Sequence, residues 1–172
     1  MAGTIHCQNE KQREVIVKQE EPGIGRIFPP PLSVIALSLT GLGLQWHYPL
    51  LFQNDYRFYW LIAGTILIAF SGLLAFLARR IMRSQKTPIS FSKPTVVIIR
   101  KGPFGHTRNP LYLSLVMLYA GVGILADSLW FAPLLIVLVF FLHRVILREE
   151  KYLEHDFGNE YLIYKRSVRR WL

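Results

Sequence analysis

The chain has 172 residues, of which 52% are hydrophobic and 18% are charged, and its formal net charge is +9. The apolar residues form long blocks instead of alternating with polar residues, which argues against an ordinary soluble domain. We attribute the positive charge to anchoring on anionic lipid and not to nucleic-acid binding.

Two apolar blocks in the first half of the chain predict membrane-spanning helices. They cover residues 32–52 and 58–78, and each has 21 residues. Because an α-helix rises about 1.5 Å per residue, each block is long enough to cross about 30 Å of hydrocarbon. Residues 1–28 contain no apolar run and do not resemble a signal peptide, so we expect a mobile cytoplasmic tail there.

Two shorter apolar blocks follow, at residues 111–126 and 129–142, and only two polar residues separate them. This pattern predicts a tight helical hairpin whose second helix gains length from the residues after it. The expected fold is all-α: an integral membrane protein of about four transmembrane helices, with residues 29–172 as its membrane domain. A C-terminal amphipathic helix is expected on the cytoplasmic side.

The distribution of Lys and Arg predicts the orientation of these helices. Residues 79–110 carry eight basic residues and no acidic residue, and the segment after residue 142 carries seven more. Basic residues collect in cytoplasmic loops. We therefore expect a multi-pass protein with both termini in the cytoplasm.

Metal and dinucleotide sites are not expected. The five histidines are scattered over separate segments: His6, His47, His106, His143 and His155. The two glycine pairs, Gly41 with Gly43 and Gly121 with Gly123, lie inside apolar blocks, where they indicate close helix packing and not a phosphate-binding loop.

The stretch KGPFGHTRNPLY, residues 101–112, precedes the first helix of the hairpin. Asn109 is a favourable N-cap and Pro110 suits the first helical position. The glycines and proline of residues 102–105 predict a folded loop against the helix start. A helix N-terminus of this kind can hold a carboxylate or a phosphate.

A second polar cluster spans residues 147–171. Glu149 shares a helical face with Val145 and Tyr152, so it can face the bilayer surface. The alternative is a solvated helix end with Glu150 and Glu154 exposed. Gly158 predicts a helix stop. An apolar seam on the membrane surface is expected from four residues: Leu153, Phe157, Tyr161 and Tyr164.

Residues 96–168 resemble the isoprenylcysteine carboxyl methyltransferase family and related membrane phospholipid methyltransferases. The resemblance lies in GPF followed by RNPLY, an apolar hairpin, REE, and FGNEYLIYK, in that order. It implies a C-terminal catalytic region and the cofactor S-adenosyl-L-methionine, bound between the last helices and the cytoplasmic segments around them.

The resemblance also implies which residues bind the cofactor. Residues 96–99 and Phe104 match positions that line the adenosine pocket. Residues 109–112 match the helix-start motif that meets the amino-acid end, and Glu149 matches an acidic cofactor ligand. The full predicted set is Val96, Val97, Ile98, Ile99, Phe104, Asn109, Pro110, Leu111, Tyr112 and Glu149.

The chain departs from the family pattern at two positions. Asn109 stands where the motif usually has His, and Val145 stands where the prenylcysteine enzymes have a substrate-binding Arg. Arg108, Arg144 and Arg148 are the remaining candidates to hold an anionic head group. The predicted catalytic residues are Arg108, Glu149 and Arg144.

The function expected from this reading is methyl transfer to a lipophilic acceptor at the cytoplasmic interface, of the isoprenylcysteine carboxyl methyltransferase type. A phospholipid amine and a small thiol stay open as alternative acceptors, and the expected partners are this acceptor and membrane lipid. Two other functions stay open: an NADPH-dependent membrane reductase, and a non-catalytic scaffold that uses the basic segment 79–110.

Overall fold

The computed structural model describes residues 29–51, 56–85 and 98–172. Five α-helices follow one another in these ranges: α1 Pro30–His47, α2 Arg57–Ser84, α3 Pro110–Leu125, α4 Phe131–Phe157 and α5 Asn159–Ser167. A short 3₁₀ turn, Gly102–Gly105, precedes α3. The described ranges contain no strand, which confirms the all-α prediction for them, and the predicted tail at 1–28 lies outside them.

Among the described helices, α2 and α4 are long and apolar enough to cross a bilayer, with 28 and 27 residues. Helix α2 leaves large apolar side chains uncovered, for example Ile66 at 61% and Phe70 at 55% exposure, as a lipid-facing helix does. Helices α1 and α3 are shorter, with 18 and 16 residues. Of the roughly four predicted spanning helices, two are therefore long and apolar enough to span, and the number four is not confirmed.

The predicted hairpin is present, but its second helix is longer than the apolar block suggested. Helices α3 and α4 are joined by residues 126–130, and α4 continues past residue 142 to Phe157. No Gly or Pro interrupts residues 134–157, so the helix crosses from the apolar block into the charged segment unbroken. Gly158, at φ 52, then ends the helix as predicted.

The ring of Phe131 fills the space between three helices. A Cβ at Gly41 of α1 would lie 2.7 Å from Cε2 of Phe131, and a Cβ at Gly123 of α3 would lie 2.5 Å from its Cβ. Gly121 packs in the same way against Ile68 of α2, at 2.6 Å. The prediction that these glycines serve close helix packing is confirmed, except at Gly43, where no described atom lies within 4 Å.

One face of α4 forms the centre of the hydrophobic core. Leu138, Leu142 and Ile146, spaced four residues apart, are completely buried. They pack in one cluster with residues of α1 and α3, including Tyr119, whose ring lies 5.0 Å from that of Phe131. The core therefore holds the hairpin together along its whole length.

The C-terminal helix α5 has a buried face and an exposed face, but not in the predicted arrangement. Tyr161 and Tyr164 are 2% and 4% exposed, whereas Leu162 and Ile163 are 39% and 52% exposed. The expectation that the two tyrosines lie on a membrane-surface seam is wrong. They turn inward because polar groups inside the fold can pair with their hydroxyls.

Candidate functional site

The loop before α3 is folded, as predicted, and is attached on two sides. Gly102 has φ 59, and a Cβ there would overlap Ile81 near the end of α2. The hydroxyl of Tyr164 in α5 donates a hydrogen bond to the carbonyl oxygen of Phe104 at 2.7 Å. The 3₁₀ turn thus links the end of α2 to α5.

Helix α3 begins at Pro110, and Asn109 occupies the N-cap position, as predicted. The side chain of Asn109 does not cap the helix, however. Its Nδ2 donates to the carbonyl oxygen of Arg170 at 3.1 Å. The N-terminus of α3 therefore has no side-chain cap from the described residues, and its positive end remains available to an anion.

The two sequence clusters meet at Glu149. The hydroxyl of Tyr112, in the first turn of α3, donates a hydrogen bond to Oε1 of Glu149 at 2.5 Å. The helix-start motif and the acidic motif therefore form one site.

Beside this pair, Glu150 is the centre of a buried cluster of charges. Arg170 donates to both of its carboxylate oxygens, from Nε at 3.0 Å and from Nη2 at 2.7 Å, and Nη2 of Arg108 lies 3.3 Å from Oε1. The side chains of Glu150 and Arg108 are 5% and 8% exposed. The alternative in which Glu150 lies exposed is wrong, whereas Glu154 lies nearer the surface and pairs with Lys165.

Within this cluster, Arg108 has fewer hydrogen-bond partners than Arg170 has. Nε and Nη1 of Arg108 are buried and have no hydrogen-bond partner among the described residues. Burial, and then the negative charge of Glu150, raise the pKa of the Tyr161 hydroxyl to about 12. The hydrogen bonds to Glu150 raise the pKa of Arg170 above its ordinary value. Two arginines surround the Glu150 carboxylate, so positive charge is in excess around it, and the guanidinium of Arg108 also lies close enough to the Tyr161 hydroxyl to oppose the rise of its pKa.

Comparison with known proteins identifies the family. A family model described as phospholipid methyltransferase matches residues 59–160, which is more than half of the chain. The chain belongs to the phospholipid methyltransferase family. The resemblance to membrane phospholipid methyltransferases is thereby confirmed at the level of the family. With two helices long enough to cross a bilayer, membership indicates a membrane protein and suggests methyl transfer as its activity.

One relative of this phospholipid methyltransferase family member is an uncharacterized protein of Haemophilus influenzae. It is 47% identical over 64 residues, which are 36% of this chain and 100% of that protein. No solved structure matches the chain significantly.

Two arginines predicted for the site, Arg144 and Arg148, lie exposed on α4, and the apolar residues before the 3₁₀ turn lie inside. Arg144 lies five positions before Glu149, about 140° away around α4. It is exposed, with its guanidinium 5.1 Å from the centre of the Phe140 ring. Arg148 is exposed as well. Ile99 is buried and Ile98 is half-buried, whereas residues 96–97 lie outside the described residues.

Sequence reasoning missed two members of the buried charge cluster, Glu150 and Arg170. The stripe of Leu138, Leu142 and Ile146 continues at the same spacing to Glu150, and this signal places Glu150 on the buried face. Arg170 had no comparable local signal, because it lies 20 positions from its partner, beyond the end of the last helix.

Elsewhere, the described residues offer no group of three or more His, Cys, Asp or Glu that would hold a metal ion. A small cleft lies at the other end of α2 and α3 from Glu149, lined by Arg57, Trp60, Leu61, Ile124, Leu125 and Asp127.

Proposed function

We propose that this chain transfers a methyl group from S-adenosyl-L-methionine to a lipophilic acceptor at the cytoplasmic membrane interface, and that residues 96–168 form its catalytic region. The observation that carries the proposal is the hydrogen bond from Tyr112 to Glu149, because it joins the two motifs in a single part-buried site. Family membership supports methyl transfer as the reaction.

The polar groups of the site fit this cofactor, whose amino-acid end carries a carboxylate and an ammonium. The bond to Tyr112 uses Oε1 of Glu149, so Oε2 can accept hydrogen bonds from the ammonium or from ribose hydroxyls. The two unpartnered donors of Arg108 and the uncapped start of α3 suit the carboxylate. Donors and acceptors thus match the charges of the ligand.

Apolar and loop residues complete the proposed pocket. Ile98, Ile99 and Phe104 would surround the adenosine, and Asn109, Pro110 and Leu111 would form its edge beside Tyr112. When bound, the cofactor supplies an electrophilic methyl group on a positively charged sulfur. The chain contributes alignment of the acceptor for in-line displacement and exclusion of water, which together supply most of the assistance that such a reaction needs.

The acceptor is expected to reach the site from the bilayer, with its lipid tail in hydrocarbon. A carboxylate or thiolate acceptor requires no general base, whereas an amine must lose a proton, for which Glu149, Glu150 and His106 are the candidates; Glu150 already pairs with Arg170 and Arg108. We place the site on the cytoplasmic side because Arg79, Arg80 and Arg83 lie in the last turns of α2, next to the 3₁₀ turn.

Isothermal titration of the purified protein in detergent with S-adenosylhomocysteine tests cofactor binding. We expect wild-type protein to bind, and Glu149→Gln to bind at least about tenfold more weakly, since it loses a charged acceptor. Asp156→Asn, an exposed position on the same helix, is the matched control and should bind as wild type does. The proposal fails if folded wild-type protein does not bind.

Methylation of a lipid extract with radiolabelled S-adenosyl-L-methionine tests the acceptor. A base-labile labelled product identifies a carboxyl acceptor and the isoprenylcysteine type of activity. A base-stable product identifies an amine or a thioether, and chromatography separates these two. No labelled product from protein that binds the cofactor would contradict a lipid acceptor.

A further inference from the structure

The last five residues, 168–172, follow α5 and contact the segment that leads into α3, and we call them the C-terminal strap. Thr107 and Arg169 form an isolated parallel bridge. Oγ1 of Thr107 and Nδ2 of Asn109 each donate to the carbonyl oxygen of Arg170 at 3.1 Å. The backbone of the strap therefore determines where the side chain of Asn109 points.

The side chain of Arg170 acts on the other half of the site. It donates to both oxygens of Glu150, at 3.0 and 2.7 Å, in the two-bond geometry that arginine and carboxylate favour. Arg108 is left with one longer ion pair to Glu150, at 3.3 Å, and its Nε and Nη1 have no partner among the described residues. Arg170 thereby occupies the two-bond position on Glu150, and Arg108 approaches only one of the two carboxylate oxygens.

We propose that Arg170 is a positioning residue for the anionic end of the cofactor, an inference that rests on the proposed function. It occupies Glu150, so that Arg108 keeps two donors for a carboxylate, and its carbonyl oxygen holds Asn109 at the start of α3. Without the Arg170 side chain, Glu150 pairs with Arg108 through two bonds. The family match ends at residue 160, and Arg170 lies ten positions beyond it.

The test compares two ligands that differ only in the amino-acid end: S-adenosylhomocysteine and 5′-methylthioadenosine, which has no carboxylate. We expect Arg170→Ala to weaken binding of S-adenosylhomocysteine about tenfold and to leave binding of methylthioadenosine within about twofold of wild type. Arg169→Ala is the matched control, because the side chain of Arg169 is exposed and its backbone contacts remain. A purely structural role would weaken both ligands equally.

Equal weakening of both ligands, or no change for either, overturns the role of Arg170. An equal loss of S-adenosylhomocysteine binding in Arg169→Ala does so as well. If Arg170→Ala does not fold, Arg170→Lys serves instead, because a single ammonium cannot match both carboxylate oxygens and the same ligand difference is expected. Failure of wild-type protein to bind S-adenosylhomocysteine overturns the proposed function itself, whereas binding by wild type with an unaltered variant overturns only this inference.

Discussion

The hydroxyl of Tyr112 lies 2.5 Å from Oε1 of Glu149, although the two residues are 37 positions apart in the chain. Each belongs to a different helix of the hairpin: Tyr112 lies in the first turn of α3, and Glu149 lies in the second half of α4. This contact fixes the distance between the start of α3 and the acidic segment of α4.

Replacing Tyr112 with Phe removes this donor and keeps the ring. The carboxyl group of Glu149 then loses its hydrogen bond and keeps an unsatisfied oxygen, so we expect a loss of about 1–3 kcal/mol in the free energy of unfolding. Denaturant-induced unfolding in detergent micelles measures the change. Tyr59→Phe is the control, because Tyr59 is 67% exposed, and its effect is expected to stay within about 0.5 kcal/mol.

Replacing Gly123 with Ala tests the packing around Phe131. The added Cβ would lie 2.5 Å from Cβ of Phe131, so α3 and α4 must separate, and we expect a loss of about 1–3 kcal/mol. Gly43→Ala adds the same methyl group where no described atom lies within 4 Å. That control is expected to be neutral or to stabilise by about 0.5–1 kcal/mol, since Ala favours helix more than Gly does. Equal effects at the two positions would contradict the packing.

Replacing Glu150 with Gln removes the only negative charge that faces Arg108 and Arg170 in the buried cluster of described residues. Breaking a buried ion pair from one side typically costs about 3–5 kcal/mol, because the remaining charge is left uncompensated. Thermal unfolding of the variant measures this loss. Glu160→Gln is the matched control: Glu160 is 61% exposed and pairs only loosely with Arg100, at 4.0 Å, so about 0–1 kcal/mol is expected. A mild effect of Glu150→Gln would show that the cluster is open to water.

The pKa of Tyr161, raised by burial to about 12, predicts a loss of stability in alkali. The folded state favours the neutral hydroxyl, so this contribution is complete below the ordinary tyrosine pKa of about 10 and disappears as the pH rises through 12. Unfolding measured between about pH 9 and 12 should show a smaller decline for Tyr161→Phe than for wild type. Identical declines would mean that Tyr161 ionises as easily in the folded protein as in the unfolded chain.

Local features of the site follow from the sequence because their causes are local. The start of α3 at Pro110 and the stop of α4 at Gly158 depend on the conformational limits of those residues alone. The inward direction of Glu149 follows from its spacing to Val145, which is 3% exposed.

Contacts between distant segments do not follow from such patterns. Asn109 has the chemistry of a helix cap, but its side chain bonds to a carbonyl oxygen 61 positions later. In the sequence, Glu150 has the pattern of a solvated charge at a helix end. In the fold, the turn at Gly158 brings Arg170 beside it. The sequence predicts that α4 extends past its apolar block but not how far, because hydropathy marks where the apolar residues end, and helical geometry continues as long as no residue interrupts it.

The uninterrupted course of α4 has a mechanical consequence. Its 27 residues rise about 40 Å, whereas the hydrocarbon of a bilayer is about 30 Å thick. One continuous helix therefore contains both the apolar segment and the acidic residues of the site. A helix responds to a thinner or thicker bilayer by tilting, so the depth of Glu149 relative to the head groups will change with the length of the surrounding acyl chains.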